Sequence, residues 1–209
     1  MQEPRSKEVV LTEFRIQSIL EATMRVIARE GLPGTSMNAI AQEAGIAKGT
    51  IYLYFRDREE LIERVAQATF QELLDELDEV FAAPAAFHER FVRLVEKLFG
   101  FFDGRREFFR LLFSIRYPDG PRSAECRRAE SPHYRRYLEQ LSGFLGSAVA
   151  SGEVMLCDPE RLALFLSEGL HALLQRRLRE ETSPPAGEEV AWLTRVLLGG
   201  LLTAEEKVR

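Results

Sequence analysis

A cation, a glycine and three hydroxyl-bearing side chains occur close together in the first third of the chain. Lys48 supplies a positive charge, and Thr50, Tyr52 and Tyr54 each carry a hydroxyl group that can form hydrogen bonds. Gly49 lacks a side chain, so another molecule can approach its backbone closely. Lysine and hydroxyl side chains commonly contact DNA phosphates, and threonine can also contact the methyl group of thymine. These residue types therefore predict an interface for duplex DNA.

Two short helices joined by a tight turn would position these side chains. Thr35 and Ser36 are favourable residues at the N-cap of a helix, and Ile40 lies at core spacing in the run that follows. Gly45 can adopt the left-handed conformation that ends a helix, and a second helix is expected to start near Ala47. This pattern predicts a helix-turn-helix. A plain helical hairpin inside an all-α core is the alternative interpretation.

Short motifs follow one another in a fixed order between Arg15 and Leu61. They are Ile19-Leu20-Glu21-Ala22, Glu30-Gly31, Thr35-Ser36, Ile40-Ala41, Ala44-Gly45-Ile46, Gly49-Thr50-Ile51-Tyr52, Tyr54-Phe55 and Glu59-Glu60-Leu61. In order and spacing this segment resembles the N-terminal domain of the TetR family of transcriptional repressors. The resemblance covers about the first third of the chain, and we match no motif beyond it.

The resemblance implies a set of DNA-binding residues in the two short helices and just after them. These residues are Thr35, Ser36, Ala47, Lys48, Gly49, Thr50, Tyr52, Tyr54 and Arg58. Three of them depart from the family's pattern. Ala47 replaces a frequent serine, Tyr54 stands where histidine is frequent, and Arg58 replaces the usual lysine. These changes bear on which operator sequence is bound and not on DNA binding itself.

The composition of the chain is that of an ordinary globular protein. The 209 residues are 45% hydrophobic and 29% charged, with a net charge of −5. This charge argues against a protein that coats DNA without sequence preference, because such proteins need many phosphate contacts. No apolar run has the length of a transmembrane helix, and the N-terminus lacks the pattern of a signal peptide, so we expect a cytoplasmic protein that does not bind membranes.

The rest of the chain is also expected to be helical, which makes the predicted fold class all-α. We expect a helix-turn-helix domain over residues 1–56 and a helical effector-binding and dimerisation domain over residues 57–209. Asp57 with Glu60 forms the pattern of a capping box that opens a long helix. Asp158 followed by Pro159 predicts the start of another helix.

Phenylalanines are numerous in the second predicted domain. The resemblance implies an effector pocket between its helices, and the residues that we expect to line it are Phe91, Leu98, Phe102, Phe109, Phe113, Tyr137, Phe144 and Phe165. Such a pocket would accept a small hydrophobic effector, for example a fatty acyl chain or an aromatic compound. Packing of the same side chains as an ordinary core is the alternative.

The two final helices carry more apolar side chains than one core requires, which suggests a partner. The resemblance implies a homodimer formed through these helices, which would suit a palindromic operator with two half-sites. The expected interface residues are Leu164, His171, Leu178, Trp192, Val196, Gly199 and Gly200. A monomer that buries both faces is the alternative.

Patterns typical of enzymes are weak in this chain. His88, His133 and His171 are scattered, and neither metal-ligand spacing nor a phosphate-binding glycine loop occurs. Cys126 and Cys157 fit two unrelated thiols better than a redox pair. The sequence therefore predicts a non-enzymatic regulator without a cofactor, most simply a repressor that an effector releases from DNA. A helical small-molecule-binding or scaffold protein without DNA regulation is the alternative.

Overall fold

A computed structural model describes residues 7–116, 131–180 and 184–201, and these parts of the chain contain nine α-helices and no β-strand. The all-α prediction is confirmed. Cys126 lies outside the described residues. The helices are α1 (Lys7–Gly34), α2 (Met37–Glu43), α3 (Lys48–Ile51), α4 (Arg58–Ala82), α5 (Phe87–Gly104), α6 (Arg106–Arg116), α7 (Pro132–Ala150), α8 (Pro159–Arg179) and α9 (Ala186–Leu201).

The described chain divides into two compact units. The first contains residues 7–69 and 107–116, and the second contains residues 70–106, 131–180 and 184–201. The division lies inside α4, between Thr69 and Phe70. The first turns of α4 bury Leu61, Ile62 and Val65 as part of the first unit.

The first unit is organised around α1, which packs against α2, and α2 packs against α3. The apolar stripe of α1 is buried as its helical spacing predicts, through Ile19, Ala22, Val26 and Ile27. The helix extends from Lys7 to Gly34. Its regular path is interrupted at Gly31, where φ is 63°. Glycine adopts this left-handed conformation without steric cost.

Local hydrogen bonds at the helix ends agree with the residue types found there. The Ser36 side chain accepts a hydrogen bond from the backbone N–H of Ala39 at the start of α2. Asp158 caps α8 in the same way, by accepting from the N–H groups of Glu160 and Arg161. The predicted starts of these two helices are therefore confirmed.

In the second unit, α7 packs against α8, and α5 packs against both α8 and α9. Phe144 of α7 stacks on Phe81 and Phe87, with ring centroids 4.9 and 5.0 Å apart. The backbone N–H of Phe87 at the start of α5 donates to Glu153 Oε1 at 3.0 Å. A carboxylate from a distant loop thus satisfies an N–H group that the helix itself leaves without an acceptor.

Candidate nucleic-acid interface

The connection between α2 and α3 is a tight turn held by backbone hydrogen bonds. The C-cap residue Ala44 is followed by Gly45, whose φ is 67°. The Ile46 N–H then donates to the Ala41 carbonyl at 3.0 Å. The predicted helix-turn-helix is therefore present, and glycine occupies the position that requires a positive φ.

Helix α3 has a buried face and an exposed face. Ile51 and Phe55 are both buried, four residues apart, and they anchor the helix and the turn that follows it. Ala47, Lys48 and Gly49 are exposed in the same segment. Ala47 occupies the N-cap position without a side-chain hydrogen bond, so the backbone at the start of α3 is also open. This arrangement can present one lysine and exposed backbone to a flat polyanionic surface.

The hydroxyl-bearing residues differ in how far they reach the surface. Tyr52 is 47% exposed, whereas Thr50 and Tyr54 are partly buried. Ser36 is also exposed, and it caps the first turn of α2. Of these predicted contacts, Tyr52 and Ser36 are thus the most accessible to a ligand.

Thr35 is placed differently from the expectation that it touches phosphate. Its side chain is buried, and its hydroxyl donates to the Gly31 carbonyl at 2.7 Å. The physical reason is the kink at Gly31, which leaves a carbonyl that Thr35 can satisfy. In this structure Thr35 therefore stabilises the approach to α2, and the exposed member of the pair is Ser36.

Basic residues continue the interface into the start of α4. Arg58 is partly buried, and Arg56 is 81% exposed with Nε 2.8 Å from Asp57 Oδ2. Asp57 Oδ1 accepts from the N–H of Glu60, and Glu60 Oε2 accepts from the N–H of Arg56. Asp57 therefore caps α4 as predicted, whereas the return bond of Glu60 goes to the N–H of Arg56, one residue before the cap. The Glu60 N–H, followed by Arg56, lowers the pKa of the Asp57 carboxyl.

An ion-pair network joins α2 to α1 behind this surface. Glu43 Oε1 accepts from Arg25 Nε at 2.8 Å, and Glu43 Oε2 accepts from Arg29 Nη1 at 2.6 Å. These hydrogen bonds, that of Arg25 first, hold the pKa of Glu43 below its usual range. The two arginines are thereby committed to positioning α2, so they differ in role from the exposed Lys48.

Leu53 was not expected to belong to the site, yet it is 80% exposed immediately after α3. A leucine near two tyrosines is read most simply as a core residue. The sequence could have indicated this exposure, because Leu53 lies midway between the core residues Ile51 and Phe55 and therefore points away from the core.

The expected pocket residues lie in both units. Phe91, Leu98, Phe102 and Phe144 are buried in the second unit, Phe109 is buried in the first, and Tyr137 is partly buried. The side chain of Phe113 lies outside the described residues. The mutual stacking of Phe144 with its neighbours shows that part of this set forms ordinary core.

Phe165 does not fit the expected pocket, because it is 69% exposed. The buried face of α8 consists of Ala163, Leu166, Ser167, Leu170, Leu174, Arg177 and Leu178. At about 100° per residue, Phe165 points away from this face. This buried face includes a small, a hydroxyl-bearing and a charged residue, Ala163, Ser167 and Arg177, which the spacing of apolar residues does not identify.

The expected dimer residues are mostly accessible. Leu164, Trp192 and Val196 are each about half exposed, Gly199 is exposed, and His171 is partly buried. Leu178 is a correction, because it is buried within the chain as part of the α8 core face. The burial of Gly200 lies outside what the structure describes.

The described parts of the chain offer neither a cluster of metal ligands nor a membrane-spanning segment. These residues contain no group of three His, Cys, Asp or Glu side chains that could hold a metal ion. No helix among them is long and apolar enough to cross a bilayer.

Comparison with known proteins agrees with this geometry. Residues 19–65 match the family of bacterial regulatory proteins called the tetR family. An uncharacterized HTH-type transcriptional regulator of Haemophilus influenzae is 38% identical over 41% of this chain and 46% of its own length. The fatty acid metabolism regulator protein of Bacillus subtilis is 26% identical over 67% of this chain and 71% of its own length.

A solved structure extends the likeness to most of the fold. The fatty acid degradation regulator FadR from Bacillus halodurans superposes with a TM-score of 0.68 at 21% identity, covering 88% of this chain and 98% of that one. The matched family model spans the helix-turn-helix described above, and the relatives are regulators and not enzymes. Residues 19–65 thus form a DNA-binding domain of the tetR family, and the chain is a DNA-binding transcriptional regulator.

Proposed function

We propose that this regulator is a homodimeric, cytoplasmic repressor that binds a palindromic operator and leaves it when a small effector binds. The observation that carries the proposal is the exposed surface formed by Ala47, Lys48, Gly49 and Tyr52, held in place by buried Ile51. A dimer would present two such surfaces to two half-sites, so protein symmetry and operator symmetry would match.

The dimer contact that we propose lies on α8 and α9. Leu164, Trp192 and Val196 remain about half exposed in the single chain, although each is large and apolar. Gly199 has no neighbouring atom within 4 Å of the position where a Cβ would lie, so there is open space for a partner at this point. Covering these residues with a second copy would remove apolar surface from water.

The effector that we propose is small and largely apolar, of fatty acyl or aromatic type. The named relatives from Bacillus subtilis and Bacillus halodurans are regulators of fatty acid metabolism and degradation. Three arginines of the second unit lie over phenylalanine rings, and each also faces a carboxylate: Arg90 that of Glu153, Arg105 that of Glu72 and Arg177 that of Asp103. We therefore expect the apolar part of the effector, and not a charged headgroup, to supply most of its affinity.

Release would follow from unequal binding to two conformations of the dimer. An effector that binds more tightly to the conformation with lower operator affinity shifts the population toward it. Helix α4 begins in the first compact unit and ends in the second. In the proposed mechanism it carries the change from the second unit to the first.

The first test is binding to the DNA immediately upstream of the gene that encodes this chain. Wild type and Tyr52→Ala would be compared at fixed salt with random duplex as competitor, and Leu156→Ala would serve as a control with an exposed residue of the second unit. We expect competitor-resistant binding by wild type and the control, and its loss in Tyr52→Ala. Palmitate, palmitoyl coenzyme A and an aromatic hydrocarbon would then be added to the complex to measure release.

Failure to bind this fragment would call for a genome-wide selection of bound duplexes with the full chain. If that selection also recovers no specific sequence, the repressor proposal is wrong. A helical small-molecule-binding protein without DNA regulation would then be the better description.

A further inference from the structure

Leu53 is the most exposed apolar side chain in the helix-turn-helix, and nothing in the first unit covers it. Its backbone is well ordered by hydrogen bonds: the Leu53 N–H donates to the Thr50 carbonyl at 3.1 Å, and the next N–H, of Tyr54, donates to Ile51 at 3.1 Å. The side chain is therefore presented by a defined turn and not by a loose loop.

The direction of Leu53 follows from its neighbours. Ile51 and Phe55 are buried on one side of the helical turn, and Leu53 lies midway between them. At about 100° per residue it must point away from the core. Its direct neighbour in the sequence, Tyr52, is 47% exposed and is one of the predicted DNA contacts. Leu53 therefore belongs to the surface for which phosphate contacts are proposed.

The residues around Leu53 have little capacity to read bases by hydrogen bonds. The segment from Ile46 to Tyr54 contains no Arg, Asn, Gln, Asp or Glu. These are the side chains that, together with lysine, recognise guanine, adenine or cytosine edges in the major groove. Lys48 is the segment's sole residue of that kind; Thr50 can also contact bases, but it is partly buried.

An exposed leucine on a DNA-binding surface needs an apolar partner if it is to contribute to affinity. The major groove offers one such group, the C5 methyl of thymine. We propose that Leu53 contacts a thymine methyl group in each half-site, so that operator recognition depends on these methyls. This inference rests on the proposed operator binding and adds the chemical feature of the DNA that is read.

The expected size of the effect can be derived from methyl burial. Removing one buried methyl group lowers a binding constant by about fourfold. Two symmetry-related methyl groups in a palindrome should therefore change the affinity by about 15-fold, since independent contacts contribute multiplicatively. Deoxyuridine is the suitable probe, because it differs from thymidine in this methyl group alone and keeps the same base-pairing edge.

The experiment starts from a duplex that the full-length protein selects from a random-sequence library. Each symmetric pair of thymines in it is replaced in turn by deoxyuridine, and dissociation constants are measured for wild type, Leu53→Ala and Leu156→Ala. Leu156 is a matched control, because it is also a highly exposed leucine but lies in the second unit. We expect one pair of positions at which deoxyuridine weakens wild type and the control by about 15-fold, and no such loss in Leu53→Ala.

Two results would contradict the methyl contact alone, and they can be distinguished from a failure of operator binding itself. If wild type binds the selected duplex but is indifferent to deoxyuridine at every position, the methyl contact is wrong and operator binding stands. The inference is equally wrong if Leu53→Ala remains as sensitive to deoxyuridine as wild type. If wild type selects no duplex at all, operator binding itself is overturned, and the methyl contact with it.

Discussion

Arg29 of α1 and Glu43 of α2 are joined by an ion pair with Nη1 2.6 Å from Oε2. Arg25, one helical turn earlier, binds the other carboxylate oxygen, so a single acid takes one hydrogen bond on each oxygen. The pair links two helices whose apolar contacts alone would tolerate some sliding. The orientation of α2, and with it the turn into α3, is thus set partly by charge-assisted hydrogen bonds.

This pair predicts a pH dependence of stability. The pKa of Glu43 is lower in the folded chain than the value of 4.5 for a free carboxyl, chiefly through Arg25 and then Arg29. The unfolded state therefore binds a proton at a higher pH than the native state does. The stabilisation is complete above the unfolded pKa and is lost as the pH falls through the folded value.

Chemical unfolding measured from about pH 6 to about pH 3 would test this expectation. Glu43→Gln should be less stable than wild type at the highest pH of this range, and the difference in the free energy of unfolding should shrink as the pH falls. Glu89→Gln, an exposed acid on α5, is the control. A constant difference between Glu43→Gln and wild type across the range would contradict the prediction.

Breaking the ion pair between Arg177 and Asp103 in the second unit should lower the free energy of unfolding. Arg177 Nε lies 2.8 Å from one oxygen of Asp103, and Arg177 Nη2 lies 2.7 Å from the other. Asp103→Ala would leave the buried guanidinium without its carboxylate and should lower the free energy of unfolding by about 3 kcal/mol. This value is at the low end of the range for such pairs, because 27% of the Asp103 side chain is exposed.

A double-mutant cycle separates the pair from other effects of the substitutions. Asp103→Ala combined with Arg177→Leu should cost less than the sum of the two single changes, because no charge is then left buried. Additive losses in urea unfolding would show that the two side chains stabilise the chain independently.

Lys48→Ala should weaken operator binding by removing one phosphate contact from each half-site. The slope of log K against log salt should then become shallower by about 2 for a dimer. Arg161→Ala removes an exposed cation from the start of α8 and serves as the control. An unchanged slope in Lys48→Ala would mean that this lysine contacts bases and not phosphates, or lies outside the complex.

Val196→Lys should prevent dimerisation, because it places a charge on the exposed apolar part of α9. Sedimentation velocity is expected to show a dimer for wild type and a monomer for the variant, with operator affinity reduced in parallel. Leu156→Lys, in the loop before α8, should remain dimeric. A dimer of Val196→Lys with wild-type affinity would place the interface on another surface.

Much of the DNA-binding site could be predicted from the sequence because its structure depends on local interactions. Ser36 accepts from the N–H three residues later in its own helix, Asp57 accepts from the N–H of Glu60, and Glu60 accepts from the N–H of Arg56. Gly45 supplies the positive φ at the turn itself. Each feature requires residues no more than four positions apart, so residue types and spacing were sufficient.

The sequence by itself therefore determined the all-α class, the helix-turn-helix and the ends of several helices. Tertiary structure alone decided which face of α8 is buried, because apolar residues occur almost all round that helix and periodicity cannot choose between stripes. Arg177 is buried there because Asp103, 74 positions away in sequence, pairs with it, and Phe165 is consequently left outside. Burial of Thr35 was also decided by the structure, since it depends on the kink at Gly31, which residue spacing does not reveal.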